Sequence, residues 1–175
     1  MTSSRGLAFC LCLISGLLIS SGTVNGAIVN LVANIDGPSA NAGAGTGSSG
    51  VGTTTLTFDD ATNLLSWSGV FSGLTNEFTV AHFHGPALPS QNAGVQVAIT
   101  VVTDIGNLSG TFNGSATISA PQASDLLNDL WYINIHSQFA PGGEIRGQVI
   151  TIPEPTSALF LGCTGALACL RRRRS

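Results

Sequence analysis

The middle of the chain, residues 27–152, consists of short apolar segments that alternate with polar residues and are separated by Gly, Asn, Ser and Pro. Alternation with a period of two indicates half-buried β-strands, because an amphipathic helix would repeat its apolar residues every three or four positions. The 22 glycines of the chain also disfavour long helices. The pattern predicts eight strands, at residues 28–33, 53–58, 64–71, 78–83, 95–102, 110–118, 131–136 and 145–150.

These strands predict an all-β fold, arranged as an antiparallel β-sandwich or a barrel-like sheet. Residues 124–130 are the one candidate helical turn, and the Ser-, Ala-, Asn- and Gly-rich residues 39–50 are expected to form a flexible loop. The turn Pro141-Gly142-Gly143 is expected to join the last two strands as a hairpin. Residues 27–152 are therefore predicted to form a single β domain.

The N-terminus has the pattern of an export signal. Arg5 precedes an apolar run over residues 6–19, and small residues follow up to Gly26. We interpret residues 1–26 as a secretory signal peptide, which is cut after Gly26 on export by the Sec machinery. The alternative is an uncleaved membrane anchor, but the run is short for a span, which needs about 20 residues.

The C-terminus, residues 153–175, joins a Pro-Glu-Pro triplet, an apolar segment at 156–170 and an arginine cluster. The residues of the triplet and of the cluster are Pro153, Glu154, Pro155, Arg171, Arg172, Arg173 and Arg174. A helix over the apolar segment would cover about 22 Å, which makes it a marginal membrane helix for a hydrocarbon core of about 30 Å. The positive-inside rule keeps the arginines cytoplasmic and places residues 27–152 across the membrane. One interpretation is a single-pass tail anchor.

The same three parts, in this order behind a signal peptide, resemble the PEP-CTERM sorting signal of Gram-negative bacteria that make exopolysaccharide. The resemblance implies recognition by an exosortase-type membrane protease and cleavage near residues 153–155. It also implies transient anchoring in the membrane, followed by release or attachment at the cell surface, the outer envelope or the extracellular matrix.

The charged residues and cysteines exclude several classes of function. Between the two predicted signals, Arg146 is the only basic residue, and eight acidic residues against it give a net charge of −7. Such a surface repels the phosphates of nucleic acids and anionic lipids, so we expect no nucleic-acid partner. The chain has no Lys, which excludes lysine-dependent phosphate binding and Schiff-base chemistry. All four cysteines lie in the terminal segments, so the domain has neither a disulfide framework nor a Cys-ligated metal.

Two segments resemble the chordin-type domain, abbreviated CHRD. The sequence AHFHGPA at residues 81–87 is similar to one family segment, and WYINIHS at 131–137 with PGGEIRGQ at 141–148 is similar to the closing segment. The resemblance extends over about residues 28–150. It implies an all-β, immunoglobulin-like or dismutase-like domain, of a kind found in bacterial secreted proteins and animal chordins.

Three histidines form the one group with chemical potential. His82 and His84 lie on the same face of a predicted strand, about 6.6 Å apart at the backbone. His136 would supply a third nitrogen if its strand is a neighbour. Three imidazoles can hold zinc or copper and leave a fourth position open. The alternative is structural, with His82 and His136 hydrogen-bonded across the sheet to Asn134 and the 144–146 hairpin.

Glu144 and Arg146 are two residues apart on a predicted strand and therefore share a face. We interpret them as a structural ion pair. Because Arg146 is the only base among eight acids, we expect it to anchor a buried or half-buried carboxylate, and Arg146→Ala is expected to destabilise the domain.

Three functions are consistent with this sequence. The one we favour is a non-enzymatic exported module, displayed at the surface or associated with exopolysaccharide, that acts by structure or binding. The second is a zinc or copper metalloprotein built on the three histidines, either as a binding protein or as an enzyme. The third is carbohydrate binding through Trp67 or Trp131, which requires an exposed ring, whereas core packing is the more common position of such rings.

Overall fold

The computed structural model describes residues 26–104 and 106–153 of the 175-residue chain. The strands are β1 (Ile28–Asp36), β2 (Val51–Asp59), β3 (Leu64–Ser72), β4 (Phe78–His84), β5 (Val95–Ile99), β6 (Val101–Thr103), β7 (Gly110–Thr117), β8 (Tyr132–Ser137), β9 (Ile145–Gln148) and β10 (Ile150–Thr151). One α-helix, α1 (Ala120–Leu127), precedes β8, and a 3-10 turn (Asn41–Gly43) follows β1.

The predicted export and sorting signals fall almost entirely outside these residues. Of the signal peptide only Gly26 is described, and of the sorting motif only Pro153. Glu154, Pro155, the apolar segment 156–170 and the arginine cluster at 171–174 lie beyond the described part. Within residues 26–104 and 106–153, no helix is long and apolar enough to cross a membrane.

The strands form one antiparallel sheet in the order β5-β4-β8-β9-β1-β2-β3-β7-β6, with β10 added on β1. Its two edge strands, β5 and β6, are consecutive in the chain and are separated only by Thr100. The sheet therefore curves until its edges meet, which makes a nearly closed, barrel-like structure. The predicted all-β fold is confirmed, and of the two arrangements considered the barrel-like sheet is the one observed.

Ten strands are observed where eight were predicted, because two predicted strands change partner. The predicted strand 95–102 is interrupted at Thr100, so that β5 pairs with β4 and β6 pairs with β7. The predicted strand 145–150 is interrupted at Val149, so that β9 pairs with β8 and β10 pairs with β1. Side-chain alternation continues across both breaks, and alternation carries no information on which strand lies alongside.

The helix begins four residues earlier than the predicted turn at 124–130. Ser119 caps it, since the Ser119 hydroxyl accepts from the Gln122 backbone N–H and the Gln122 side chain accepts from the Ser119 N–H. This capping box, followed by Pro121 in the first turn, is a standard start signal in a sequence. The prediction was wrong in position because it followed apolar residues and gave no weight to the cap.

On β4 and β8, alternation separates a core face from a second face that carries the histidines. On β4 and β8, Ala81, Phe83, Ile133 and Ile135 are fully buried in the core inside the barrel. The residues between them in sequence therefore project from the opposite face of the same two strands. Both tryptophans belong to the core, with Trp67 7 % exposed and Trp131 0 % exposed.

The segment 39–50, expected to be a flexible loop, is tied to the domain by Glu144. The Glu144 carboxylate is fully buried and accepts hydrogen bonds from the Ser48 hydroxyl at 2.6 Å, the Thr75 backbone N–H at 2.6 Å and the Ser137 hydroxyl. Thr46 donates to the Glu144 backbone carbonyl at 2.8 Å. One carboxylate thus connects this loop to the end of β8 and to the segment after β3.

Gly147→Ala is expected to destabilise the domain. A Cβ at position 147 would collide with the backbone carbonyl of Asn34, where β9 approaches β1 and joins the two halves of the sheet. We expect the free energy of unfolding to fall by about 1–3 kcal/mol, measured by urea denaturation. Gly142→Ala is the matched control, because a Cβ there would have no neighbour within 4 Å. Equal stability of the two variants would contradict the close approach of β9 to β1.

Candidate metal site

The three histidines come together on the face of β4 and β8 that is turned away from the core. In the antiparallel register of the two strands, Val80 lies opposite His136, His82 opposite Asn134 and His84 opposite Tyr132. The strand of His136 is therefore the direct neighbour of the strand of His82 and His84, which the sequence left open. One nitrogen from each imidazole lies within 4.8 Å of the other two.

The arrangement is compact enough for one ion. The ring centroids are 5.4 Å apart for His82 and His136, 5.5 Å for His82 and His84, and 5.8 Å for His84 and His136. Two nitrogens bound about 2.0–2.1 Å from one tetrahedral zinc ion are about 3.3–3.4 Å apart. The rings would have to rotate until separations now within 4.8 Å shorten to that value to bring all three nitrogens onto one ion.

Backbone carbonyls fix the orientation of two of the rings. His84 donates from Nδ1 to the Ala93 carbonyl at 3.0 Å, and His136 donates from Nδ1 to the Pro141 carbonyl at 2.8 Å. Because a carbonyl only accepts, the proton of each neutral ring is on Nδ1 and the lone pair is on Nε2. Metal-bound histidines are usually held in this way by a hydrogen bond at the second nitrogen.

Three of the four imidazole nitrogens not held by carbonyls are buried and unpaired. Nε2 of His84, Nε2 of His136 and Nδ1 of His82 have no hydrogen-bond partner among the residues that the structure describes. A buried unsatisfied polar atom costs about 1–3 kcal/mol, and most such atoms in folded proteins are paired. Three of them on three adjacent rings are the signature expected of an apo metal site.

The structural interpretation accounts for only part of this geometry. The Asn134 side chain donates to the Gly142 carbonyl at 3.1 Å and, within the described residues, has no hydrogen bond to a histidine. The hairpin does contact His136, but through the Pro141 carbonyl and not through residues 144–146. These bonds satisfy Nδ1 of His84 and of His136 and leave three buried nitrogens, Nε2 of His84, Nε2 of His136 and Nδ1 of His82, without a partner among the described residues.

The 141–143 hairpin is shaped for these contacts. It joins β8 to β9, as predicted, and Gly143 has a φ of +119°, a conformation that L side chains rarely adopt. A Cβ at Gly143 would also collide with the Asn134 amide. Gly143 thus lets the hairpin turn back over β8, so that consecutive carbonyls, of Pro141 and Gly142, reach His136 and Asn134.

Burial keeps two of the imidazoles neutral. It is the main cause that lowers the pKa of His82, and repulsion from His136 lowers it further. Burial is also the main cause that lowers the pKa of His84; the Ala93 carbonyl opposes it, and His136, His82 and Arg146 lower the pKa further. Near pH 7 both rings are therefore in the neutral form that binds metals.

A stack of side chains lies behind His84. The Tyr132 ring is parallel to the His84 ring, with centroids 5.0 Å apart and planes inclined by 8°. The Arg146 guanidinium lies over the Tyr132 ring, 3.5 Å from its centroid, in a cation–π contact. The sequence did not predict this contact, which depends on the register that sets Tyr132 opposite His84 on the shared face of β4 and β8.

Glu144 and Arg146 have separate partners instead of each other. Arg146, 2 % exposed, donates to the Leu88 and Gln91 carbonyls and to Asn92, while Glu144 is held by the hydroxyls and the N–H described above. Burial alone would raise the pKa of Glu144, but its hydrogen bonds outweigh burial and lower it. Neither the ion pair expected from their shared face nor any other carboxylate partner of Arg146 is found among the described contacts. Loss of the Arg146 hydrogen bonds still supports the destabilisation expected for Arg146→Ala.

Neither tryptophan has an exposed ring on which a carbohydrate could stack. Trp67 packs edge-on against Phe83, with ring centroids 5.3 Å apart, and Trp131 is fully buried. Stacking on a sugar requires an accessible ring face, so neither residue offers a platform for it.

The metal-free domain is expected to lose stability between pH 7.5 and 5.5. The pKa values of His82 and His84 are lower in the folded state than the usual 6.5. The unfolded chain therefore binds more protons as the pH falls below about 6.5, and the free energy of unfolding decreases. Urea denaturation at the two pH values measures this slope.

The double variant His82→Gln/His84→Gln should have a smaller slope than the wild type. Glu144 does not interfere, because its transition lies below its usual pKa of 4.5. Identical slopes for the variant and the wild type would show that the two imidazoles are not the groups that titrate.

Comparison with known proteins gives one family. The CHRD domain matches residues 31–149, which include all three histidines, the 141–143 hairpin, Glu144 and Arg146. No curated protein sequence matches the chain significantly. Since the matched residues make up more than half of the sequence, the chain belongs to the CHRD domain family.

Proposed function

We propose that this CHRD domain is a metal-binding module that holds one zinc or copper ion on His82, His84 and His136. Two observations carry the proposal: one nitrogen from each of the three imidazoles lies within 4.8 Å of the other two, and three nitrogens of these rings are buried without a hydrogen-bond partner among the described residues. Neutral imidazole suits both zinc and copper. No thiolate competes as a ligand, since the cysteines of the chain are confined to residues 10–12 and 163–169.

Three protein ligands leave a fourth coordination position for water or for a donor group of a partner. His82 is the most exposed of the three histidines, so the open position is expected on its side. The side-chain oxygen of Asn134, opposite His82 in the register, is buried with no hydrogen bond among the described residues. It is a suitable acceptor for a water in that position.

We propose further that the domain works outside the cytoplasm, as a surface or exopolysaccharide-associated module of a Gram-negative bacterium. The support is the sequence pattern at residues 1–26 and 153–175, which indicates Sec export and processing by an exosortase-type protease. Mass spectrometry of the protein recovered from its native cell envelope is expected to give an N-terminus at Ala27 and a C-terminus near residues 153–155. Recovery of the intact chain from the cytosol would contradict this.

Metal titration tests the proposed site directly. The purified metal-free protein is expected to bind one equivalent of zinc or copper, and its melting temperature should rise with metal concentration. At a free metal concentration of 100 times Kd, the stabilisation would be about 2.7 kcal/mol. The variant His84→Gln/His136→Gln should lose both the stoichiometric binding and the thermal shift.

The acidic surface supplies the matched control. Asp59 and Asp60 are adjacent carboxylates remote in sequence from the histidines, and Asp59→Asn/Asp60→Asn should bind metal as the wild type does. Binding that is lost in the aspartate variant and kept in the histidine variant would mean that the metal sits on surface carboxylates. Absence of stoichiometric binding in the wild type would refute the proposed function.

A further inference from the structure

We propose, building on the metal site proposed above, that Arg146 makes this site selective for the charge of the ion. The buried guanidinium biases the site toward monovalent copper and against divalent zinc and copper. Arg146 thus acts as a specificity-determining residue that does not touch the metal.

The ligand set itself carries no negative charge. The group consists of three imidazoles, and no Asp, Glu or Cys joins it within residues 26–104 and 106–153. A divalent ion in such a site keeps both charges uncompensated, and the cost of taking an ion out of water rises with the square of its charge. Because imidazole binds zinc and copper alike, ligand type does not decide between them, and the surrounding charge does.

The buried guanidinium of Arg146 lies near the three histidines, separated from His84 by the Tyr132 ring. The Arg146 guanidinium is 3.5 Å from the centre of the Tyr132 ring, whose centre is 5.0 Å from that of His84. It is therefore no more than about 8.5 Å from the His84 ring. Arg146 is 2 % exposed, so water and salt screen its charge weakly.

This cation is not neutralised by a carboxylate among the described residues. All its hydrogen-bond acceptors are neutral oxygens, those of Leu88, Gln91, Asn92 and Gln148. Asp36 lies opposite Arg146 in the register of β1 and β9, but its carboxylate accepts the Ser39 backbone N–H at 2.7 Å and forms no described ion pair with Arg146. The charge of Arg146 therefore acts on an ion held by the imidazoles, and twice as strongly on a divalent ion.

The expected size of the effect follows from this distance. An ion bound to His84 would lie about 3 Å from the ring centre, and therefore no more than about 12 Å from the guanidinium. At about 8.5–12 Å and an effective dielectric constant of about 20, the interaction of two unit charges changes an equilibrium constant by about tenfold to thirtyfold. A divalent ion exceeds a monovalent one by one unit charge. Removing the charge of Arg146 should thus lower the ratio of the zinc Kd to the monovalent-copper Kd by about this factor.

The sharpest variant is Asn92→Asp, which neutralises Arg146 without removing it. The Asn92 side-chain oxygen accepts from Nη1 of Arg146 at 3.2 Å, and the aspartate is nearly isosteric. Affinities for zinc and, under anaerobic conditions, monovalent copper are measured by competition with chromophoric chelators. Because Asn92 is exposed, we expect the ratio to fall by a smaller factor, about threefold to tenfold. Asn92→Ala, which removes this hydrogen bond and adds no charge, should keep the wild-type ratio.

The reduction potential of bound copper is a second measurement. If Arg146 had a purely structural role, this potential would not change. A tenfold change in the relative affinity for the two copper oxidation states corresponds to about 59 mV. The potential should therefore shift in the negative direction in Asn92→Asp, and in Arg146→Gln if that variant folds, but not in Asn92→Ala. An unchanged ratio and potential in Asn92→Asp, with stoichiometric binding intact, would overturn the role of Arg146 alone. Loss of binding in the wild type would instead overturn the metal site.

Discussion

The register between β4 and β8 is the constraint on which the rest of the site depends. It sets Val80 opposite His136 and His82 opposite Asn134, so that histidines from two strands share one patch of one face. The same register buries Phe83 and Ile133 on the other face. A shift by one residue would exchange the faces of a strand, placing imidazoles in the core and apolar side chains outside. The burial of the apolar residues therefore sets the register of β4 and β8, and the register brings the histidines together on the opposite face.

Two buried charges support this arrangement in different ways. Glu144 is solvated by hydroxyls and a backbone N–H, and it ties the loop after β1 to the end of β8. Arg146 is solvated by carbonyls of the 88–92 segment and by the face of Tyr132. Because each charge has its own set of neutral partners, the positive field of Arg146 is not cancelled locally. In the metal site proposed above, that separation would let Arg146 act on an ion held by the neighbouring imidazoles.

The carbonyls that orient His84 and His136 come from segments that are not strands. Ala93 precedes β5, and Pro141 belongs to the hairpin between β8 and β9. The strands thus set the spacing of the rings, and the connecting segments set which nitrogen faces the centre of the group. This division matches the usual design of metal sites, in which outer hydrogen bonds fix the first ligands.

The sequence by itself determined the all-β class, most strand positions, the face on which His82, His84 and His136 lie, and the closing hairpin. These features depend on local alternation and turn residues, which are readable over a few positions. Only the tertiary structure decided that β4 and β8 are neighbours and that two predicted strands change partner, at Thr100 and Val149. It also decided that Glu144 and Arg146 bind separate partners instead of each other. Strand pairing and side-chain partners depend on contacts between residues distant in the chain, such as Arg146 with Gln91, and no local pattern encodes them.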